Sequence, residues 1–217
     1  MPQNTDLAEI RDYFAGRFRE HGATPKGMDW NSLDAQYVRF DQLSKVIDAA
    51  ETYSLLDYGC GYGALYDFLK AKGHNLIYTG FEIVEEMAAQ GRHLHAAESG
   101  CAFTTSESEL EPADYVVESG IFNIKLDADP RVWSEHVIAT LNRMNALSRK
   151  GLAFNLLTSY SDPEFMREDL YYADPCYYFD YCKRHFSRNV ALLHDYQLYD
   201  FTILVRKSDA HEQSASH

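Results

Sequence analysis

Three glycines at alternate positions, Gly59, Gly61 and Gly63, follow directly on the apolar pair Leu55-Leu56 and the acid Asp57. Leu65-Tyr66-Asp67-Phe68-Leu69 then takes up helical spacing. A short strand that ends at an acid, turns through glycine and restarts as a helix is the opening unit of an α/β sheet. Its turn is one in which backbone comes close to a nucleoside ligand. A Cβ at those positions would strain the turn or block that approach.

The spacing also separates classes of nucleotide ligand. A dinucleotide turn reads G-x-G-x-x-G, its last glycine seating a helix against a strand around a pyrophosphate. Here the pattern is G-x-G-x-G, with Asp57 two residues before it. Asn75-Leu76-Ile77-Tyr78-Thr79-Gly80-Phe81 reads as the next strand and ends in Glu82, a carboxylate placed to accept from both hydroxyls of a ribose. The competing reading of Glu82 is a solvated acid at a helix start, since Glu85 and Glu86 follow.

Around this unit the chain alternates. Leu7, Ile10, Phe14 and Phe18 predict a first helix capped by Thr5, and 21–27 a loop. A second helix starts near Ser32 with Leu33, Tyr37, Phe40, Leu43 and Ile47 on one stripe. Strands follow at 54–57, 75–82, 101–104 and 114–119, with helices at 63–72 and 84–98. Asp129-Pro130 opens a long helix with Trp133, Val137, Leu141 and Met144 inward, and Gly151 is read as its stop. A buried strand 152–157 comes next, and a pair at 189–194 and 201–205 closes the domain. Only about six residues join that last pair, too few for a parallel crossover, so the two are antiparallel. The expected fold is a single Rossmann-like, doubly wound α/β sheet of seven strands with the last strand pair antiparallel.

Charge bounds the partners. The net charge of −13 repels phosphate backbones, so no nucleic acid and no anionic membrane is expected as partner. No apolar run approaches the ~20 residues of a membrane span, and the start Met1-Pro2-Gln3-Asn4 lacks the layout of a signal peptide. Cys60, Cys101, Cys176 and Cys182 show no C-x-x-C pairing, which reads as reduced thiols in a cytoplasmic protein with no metal site.

Asp57, the three glycines and Glu82, with the strand order, resemble the class I S-adenosylmethionine-dependent methyltransferases over roughly residues 30–206. The resemblance implies S-adenosyl-L-methionine as cofactor. Asp57, Tyr58, Gly59, Gly61 and Gly63 stand at the family's first motif, and Glu82 with Ile83 at its second. Thr105-Ser106-Glu107-Ser108 replaces the usual acid-rich turn at the adenine edge, leaving Ser106 or Glu107 for the exocyclic amine. At the fourth strand, Glu118, Ser119, Phe122 and Asn123 face the cofactor region. The cofactor carboxylate wants a cation, and Arg39 is the candidate by position, flanked by Tyr13 or Trp30. The alternative is a surface salt bridge for Arg39 and a core anchor for Trp30.

Residues 1–30 are expected to form a helical cap, 31–207 the cofactor-binding domain with an aromatic lid insertion at 158–188, and 208–217 a disordered tail. Six aromatics crowd Leu170–Tyr181, a segment that shapes the acceptor pocket in this fold; aromatic faces stabilise a sulfonium or cationic acceptor by about 0.5–2 kcal/mol per contact. At least half of them are expected to be packing groups. Methyl transfer is an in-line displacement needing no metal, and the protein supplies orientation, desolvation and, for a proton-bearing nucleophile, a base. The catalytic candidates are Asn123, Tyr160 and the lid groups Tyr172, Tyr178 and His185. His194-Asp195 looks like a dyad but falls at an outer strand.

Three activities are compatible with these residues. The first is methylation of a small neutral or cationic N or O acceptor, with a homodimer as the expected assembly. The second is attack at the cofactor's γ-carbon by its own amine, giving azetidine-2-carboxylate and methylthioadenosine on the same fold. The third is a non-catalytic cofactor-binding or partner-binding module, disfavoured by the intact glycine turn and Glu82.

Overall fold

A computed structural model describes residues 7–30 and 32–207; Thr5, Asn31 and the segment from Ser208 onward lie outside these residues. The chain runs α1 (Leu7–His21), α2 (Leu33–Ser44), β1 (Tyr53–Tyr58), α3 (Ala64–Ala71), β2 (Leu76–Phe81), α4 (Glu85–Leu94), β3 (Cys101–Thr104) and β4 (Ala113–Val117). It continues through α5 (Pro130–Leu147), β5 (Ser148–Thr158), β6 (Tyr172–Ala173), α6 (Pro175–His185), β7 (Asn189–Leu193) and β8 (Asp200–Arg206). The strand order is β3-β2-β1-β4-β5-β8-β7, with β6 paired to the end of β5. β8 is antiparallel to both β5 and β7. The remaining pairings are parallel, as short αβ repeats require.

Strands buried on both faces explain the continuous apolar runs. One face carries Leu56, Val116, Leu152, Phe154 and Phe201 against Trp133, Val137 and Leu141 of α5 and Tyr178 of α6. The other carries Leu55, Tyr78, Tyr115 and Leu204 against Phe40 and Leu43 of α2 and Leu65 and Leu69 of α3. Caps fix two helices, the first at the expected point: Asp129 Oδ1 accepts the Arg131 N–H at 2.9 Å, and Asp174 Oδ1 the Cys176 N–H at 2.9 Å, each before a proline.

Several expectations give way to packing. Gly151 does not stop a helix. It lies inside β5 opposite Arg206, where a Cβ would come within 2.6 Å of the Val205 carbonyl. The helix expected to 98 ends at Leu94, and the strand expected to 119 ends at Val117, so Glu118 and Ser119 fall in a turn. On α2 the buried face is Gln36, Arg39, Phe40, Gln42 and Leu43, while Leu33 and Tyr37 are exposed and Ile47 lies beyond the helix. The four cysteines are free thiols. No described helix is long and apolar enough to cross a membrane.

Candidate active site

At the carboxyl ends of β1, β2 and β4, where an open parallel sheet leaves a crevice, lies a cavity of about 280 Å³. Gly59 of the glycine turn lines it. Gly59 takes φ +86° and Gly61 φ +57°, the left-handed region that a side chain resists. A Cβ on Gly59 would stand 2.1 Å from Ile121 Cγ2, and one on Gly61 2.3 Å from Met28 Cε. Gly63 instead caps α3 and faces Phe103 and His95, away from the cavity lining.

Glu82 lines the cavity and is 6 % exposed. Its Oε2 accepts the Gly61 N–H at 2.9 Å and its Oε1 the Val84 N–H at 2.9 Å, which ties the end of β2 to the glycine turn. Burial raises its pKa, and the N–H donors oppose that rise. Each oxygen keeps a further lone pair for a ligand hydroxyl. Asp57 does not line the cavity; it lies on the opposite face of the sheet and accepts from the Tyr78 hydroxyl at 2.7 Å. Burial pushes its carboxyl up to about 7, with the Glu82 charge adding to the rise.

Tyr58, Ile83 and Glu107 form one wall. The Tyr58 hydroxyl donates to Glu107 Oε1 at 2.9 Å, and Arg143 Nε stands 3.4 Å from the same oxygen. Ser106 lies off the lining, its Oγ 2.8 Å from Ser108 Oγ. Ser119 lines the cavity and accepts from Asn155 Nδ2 at 3.2 Å. Glu118, fully buried, sits behind it: Oε1 accepts the Asn155 N–H at 2.9 Å and Oε2 the Ile121 N–H at 3.2 Å. Desolvation holds Glu118 well above the usual carboxylate range, so it braces the turn after β4 from beneath. Asn123 lines the cavity and accepts the Leu157 N–H at 3.1 Å.

The roof comes from Leu7, Ile10 and Phe14 of α1 together with Met28, Asp29 and Trp30. Arg39 reaches the cavity, but its fork is already taken: Nε lies 3.1 Å and Nη2 2.5 Å from the two Asp200 oxygens, and Trp30 stacks on it at 4.4 Å. The pair is buried, neither the surface bridge nor the free carboxylate clamp that position alone suggests.

The aromatic candidates leave the site. Tyr160 is 70 % exposed beside His194, with ring centroids 5.9 Å apart. Tyr172 accepts the Arg167 N–H at 3.0 Å outside the cavity, and His185 is exposed on Tyr181 at the end of α6. Tyr178 is fully buried, its hydroxyl 3.0 Å from that of Tyr171 and 3.2 Å from Ser134 Oγ. α6 packs on β7 and β8 as a layer of the fold, with Tyr178 in the core, Phe179 packed against it and Tyr177 exposed. Sequence reasoning missed His136 and Thr140, which line the cavity from α5 beside Trp133. Their i, i+4 spacing along the edge of the apolar stripe was the available signal. Among the described residues no group of three or more His, Cys, Asp and Glu side chains is arranged to hold a metal ion.

No family model matches the chain. A protein of Mycobacterium tuberculosis (strain ATCC 25618 / H37Rv), named "Putative methyltransferase Rv1506c", is 49% identical over 164 residues, which is 76% of this chain and 99% of that protein. The chain belongs to the class I S-adenosylmethionine-dependent methyltransferases. The methyltransferase fold is shared with solved structures of low identity. Magnesium protoporphyrin IX methyltransferase from Synechocystis PCC 6803, with bound S-adenosylmethionine, superposes with a TM-score of 0.60 at 15% identity, covering 95% of this chain and 100% of that one. Human N-acetylserotonin methyltransferase, also in complex with S-adenosylmethionine, gives 0.63 at 15% identity over 94% of this chain and 60% of that one. The family's cofactor is S-adenosylmethionine.

Proposed function

We propose that this methyltransferase binds S-adenosylmethionine in the cavity above its glycine turn and methylates a small neutral or cationic N or O acceptor. The observation that carries the reading is Glu82, a buried carboxylate lining the cavity and held by two backbone N–H groups, one of them from the glycine turn. That arrangement suits ribose hydroxyls, which are neutral donors. Gly59 leaves room for close backbone approach, Tyr58 and Ile83 offer faces to a nucleobase, and Glu107 and Ser119 supply polar edges.

When bound, the cofactor supplies an electrophilic methyl on a sulfonium. The chain's own contribution is orientation and exclusion of water. Leu7, Ile10, Phe14 and Trp30 close the cavity from above, and Asn123, tied to β5, stands at its inner end. The cavity's volume of about 280 Å³ and the charge of −13 favour a small acceptor over a polyanion, and we place the protein in the cytoplasm.

Mass spectrometry of the protein incubated with S-adenosylmethionine and no acceptor tests the reaction class. Intact cofactor, recovered bound at one equivalent, is the expected result. Enzyme-dependent methylthioadenosine with a new small amino acid would overturn methyl transfer in favour of self-alkylation.

A further inference from the structure

The charged groups of the cavity are nearly all spoken for. Asp29 pairs with Arg17 Nη2 at 2.7 Å and accepts from the Tyr13 hydroxyl at 3.0 Å. Arg39 pairs with Asp200, and Glu107 with Arg143. Arg167 Nε donates to Asp169 Oδ1 at 2.9 Å. The remaining charge, Glu82, faces the ribose position. An acceptor carboxylate or ammonium entering this cavity would therefore lose its hydration without meeting an uncommitted opposite charge, which is costly.

The polar groups left over are neutral. Among the described residues none hydrogen-bonds to the His136 ring or the Thr140 hydroxyl, and none accepts from Asn123 Nδ2. His136 and Thr140 share one face of α5, and the His136 ring lies 5.1 Å from that of Trp133. Trp133 is itself pinned by its Nε1–H to the Phe122 carbonyl at 2.8 Å. The imidazole thus stands against a fixed indole with a ring nitrogen free to accept. Burial lowers its pKa, which keeps it neutral.

We propose that His136 is the general base of this methyltransferase and that its acceptor is a neutral molecule presenting a hydroxyl, an inference that rests on the methyl-transfer reading above. The acceptor O–H bond breaks and its proton passes to the imidazole. The oxygen's electron pair forms the bond to the methyl carbon as the carbon–sulfur bond breaks, its pair staying on sulfur as a neutral thioether. The imidazolium then returns the proton to water. Asn123 Nδ2 and the Thr140 hydroxyl hold the acceptor oxygen and its neighbours by hydrogen bonds that carry no net charge.

The test loads the protein with S-adenosylhomocysteine and titrates three probes of similar size: phenol, benzoate and benzylammonium. Calorimetry reads affinity, and the ¹⁵N resonances of labelled histidines report contact, with His136 assigned by the peak missing from H136Q. The expected result is phenol binding at least ten-fold tighter than either ion, with a shift of the His136 ring nitrogen. H136Q should bind phenol about five-fold more weakly, the loss of one neutral hydrogen bond, with S-adenosylhomocysteine affinity unchanged. Tighter binding of either ion, a still His136 resonance, or no phenol binding to the loaded protein would overturn the proposal. So would a ten-fold loss of S-adenosylhomocysteine affinity in H136Q, which would put His136 on the cofactor. The probe selectivity is read on the wild-type protein and does not depend on how the variant folds. Failure of S-adenosylhomocysteine to bind the wild-type protein at all would instead defeat the cofactor reading.

Discussion

Two carboxylates at neighbouring strand ends do different work because the sheet separates them. Glu82 faces the cavity, and its removal takes away an acceptor for ligand hydroxyls together with the two N–H contacts that tie β2 to the glycine turn. Glu82→Ala is expected to weaken S-adenosylhomocysteine binding by about 1–3 kcal/mol in calorimetry, the range for hydrogen bonds to a charged group. Asp57 faces the other side, bonded to Tyr78, with its carboxyl raised to about 7 by burial. The fold therefore favours protonated Asp57. Its contribution is fully present below the unfolded carboxyl range near ~4 and is lost as pH rises through about 7. Asp57→Asn keeps an oxygen for Tyr78 and carries no charge. In urea unfolding, its stability relative to wild type should rise by about 2–3 kcal/mol between pH 5 and pH 8; a constant difference would show that Asp57 does not titrate in that window. Gly59, Gly61 and Glu82 were legible from the chain because backbone sterics and a strand-end position determine them locally. The partner of Arg39 was not, since Asp200 lies 161 positions away and only sheet order brings it near.

At the scale of elements, the aromatic segment shows how composition misleads. Six aromatics in a row of twelve residues read as a ligand lid, yet α6 packs on the last strand pair and buries Tyr178 and Cys182. Which face of a helix meets the sheet depends on a crossover that the helix itself does not encode. Tyr178→Phe should cost about 1 kcal/mol of stability through the lost hydroxyl contacts with Tyr171 and Ser134, and leave S-adenosylhomocysteine affinity unchanged. A loss of binding without a loss of stability would return Tyr178 to the site. α5 is the converse case. Its apolar stripe was read correctly, with Trp133, Val137, Leu141 and Met144 all buried, but the polar flank of the same stripe was passed over. That flank, His136 and Thr140, lines the cavity.

Across the whole molecule, alternation of strand and helix was enough to give the parallel sheet, and the short final loop was enough to give the reversed strand. The place of β8 between β5 and β7, and the small β6, came only with the structure. That insertion brings Asp200 under α2 and makes the Arg39–Asp200 pair a tie between the helix before the sheet and its last strand. Both side chains are buried, so Asp200→Ala leaves an uncompensated guanidinium and should destabilise the protein by about 3–5 kcal/mol in urea unfolding; a change under ~1 kcal/mol would mean the pair is solvated in solution.

The central claim is that the cavity over the glycine turn holds the cofactor. Isothermal calorimetry of S-adenosylhomocysteine against the wild-type protein and Gly61→Arg tests it most directly. At Gly61 even a Cβ would meet Met28, a residue of the cavity lining, at 2.3 Å, so an arginine must displace that wall. One equivalent bound by wild type, with no measurable heat in a folded Gly61→Arg variant, is the predicted result. Equal affinity in both proteins, or none in wild type, would contradict it.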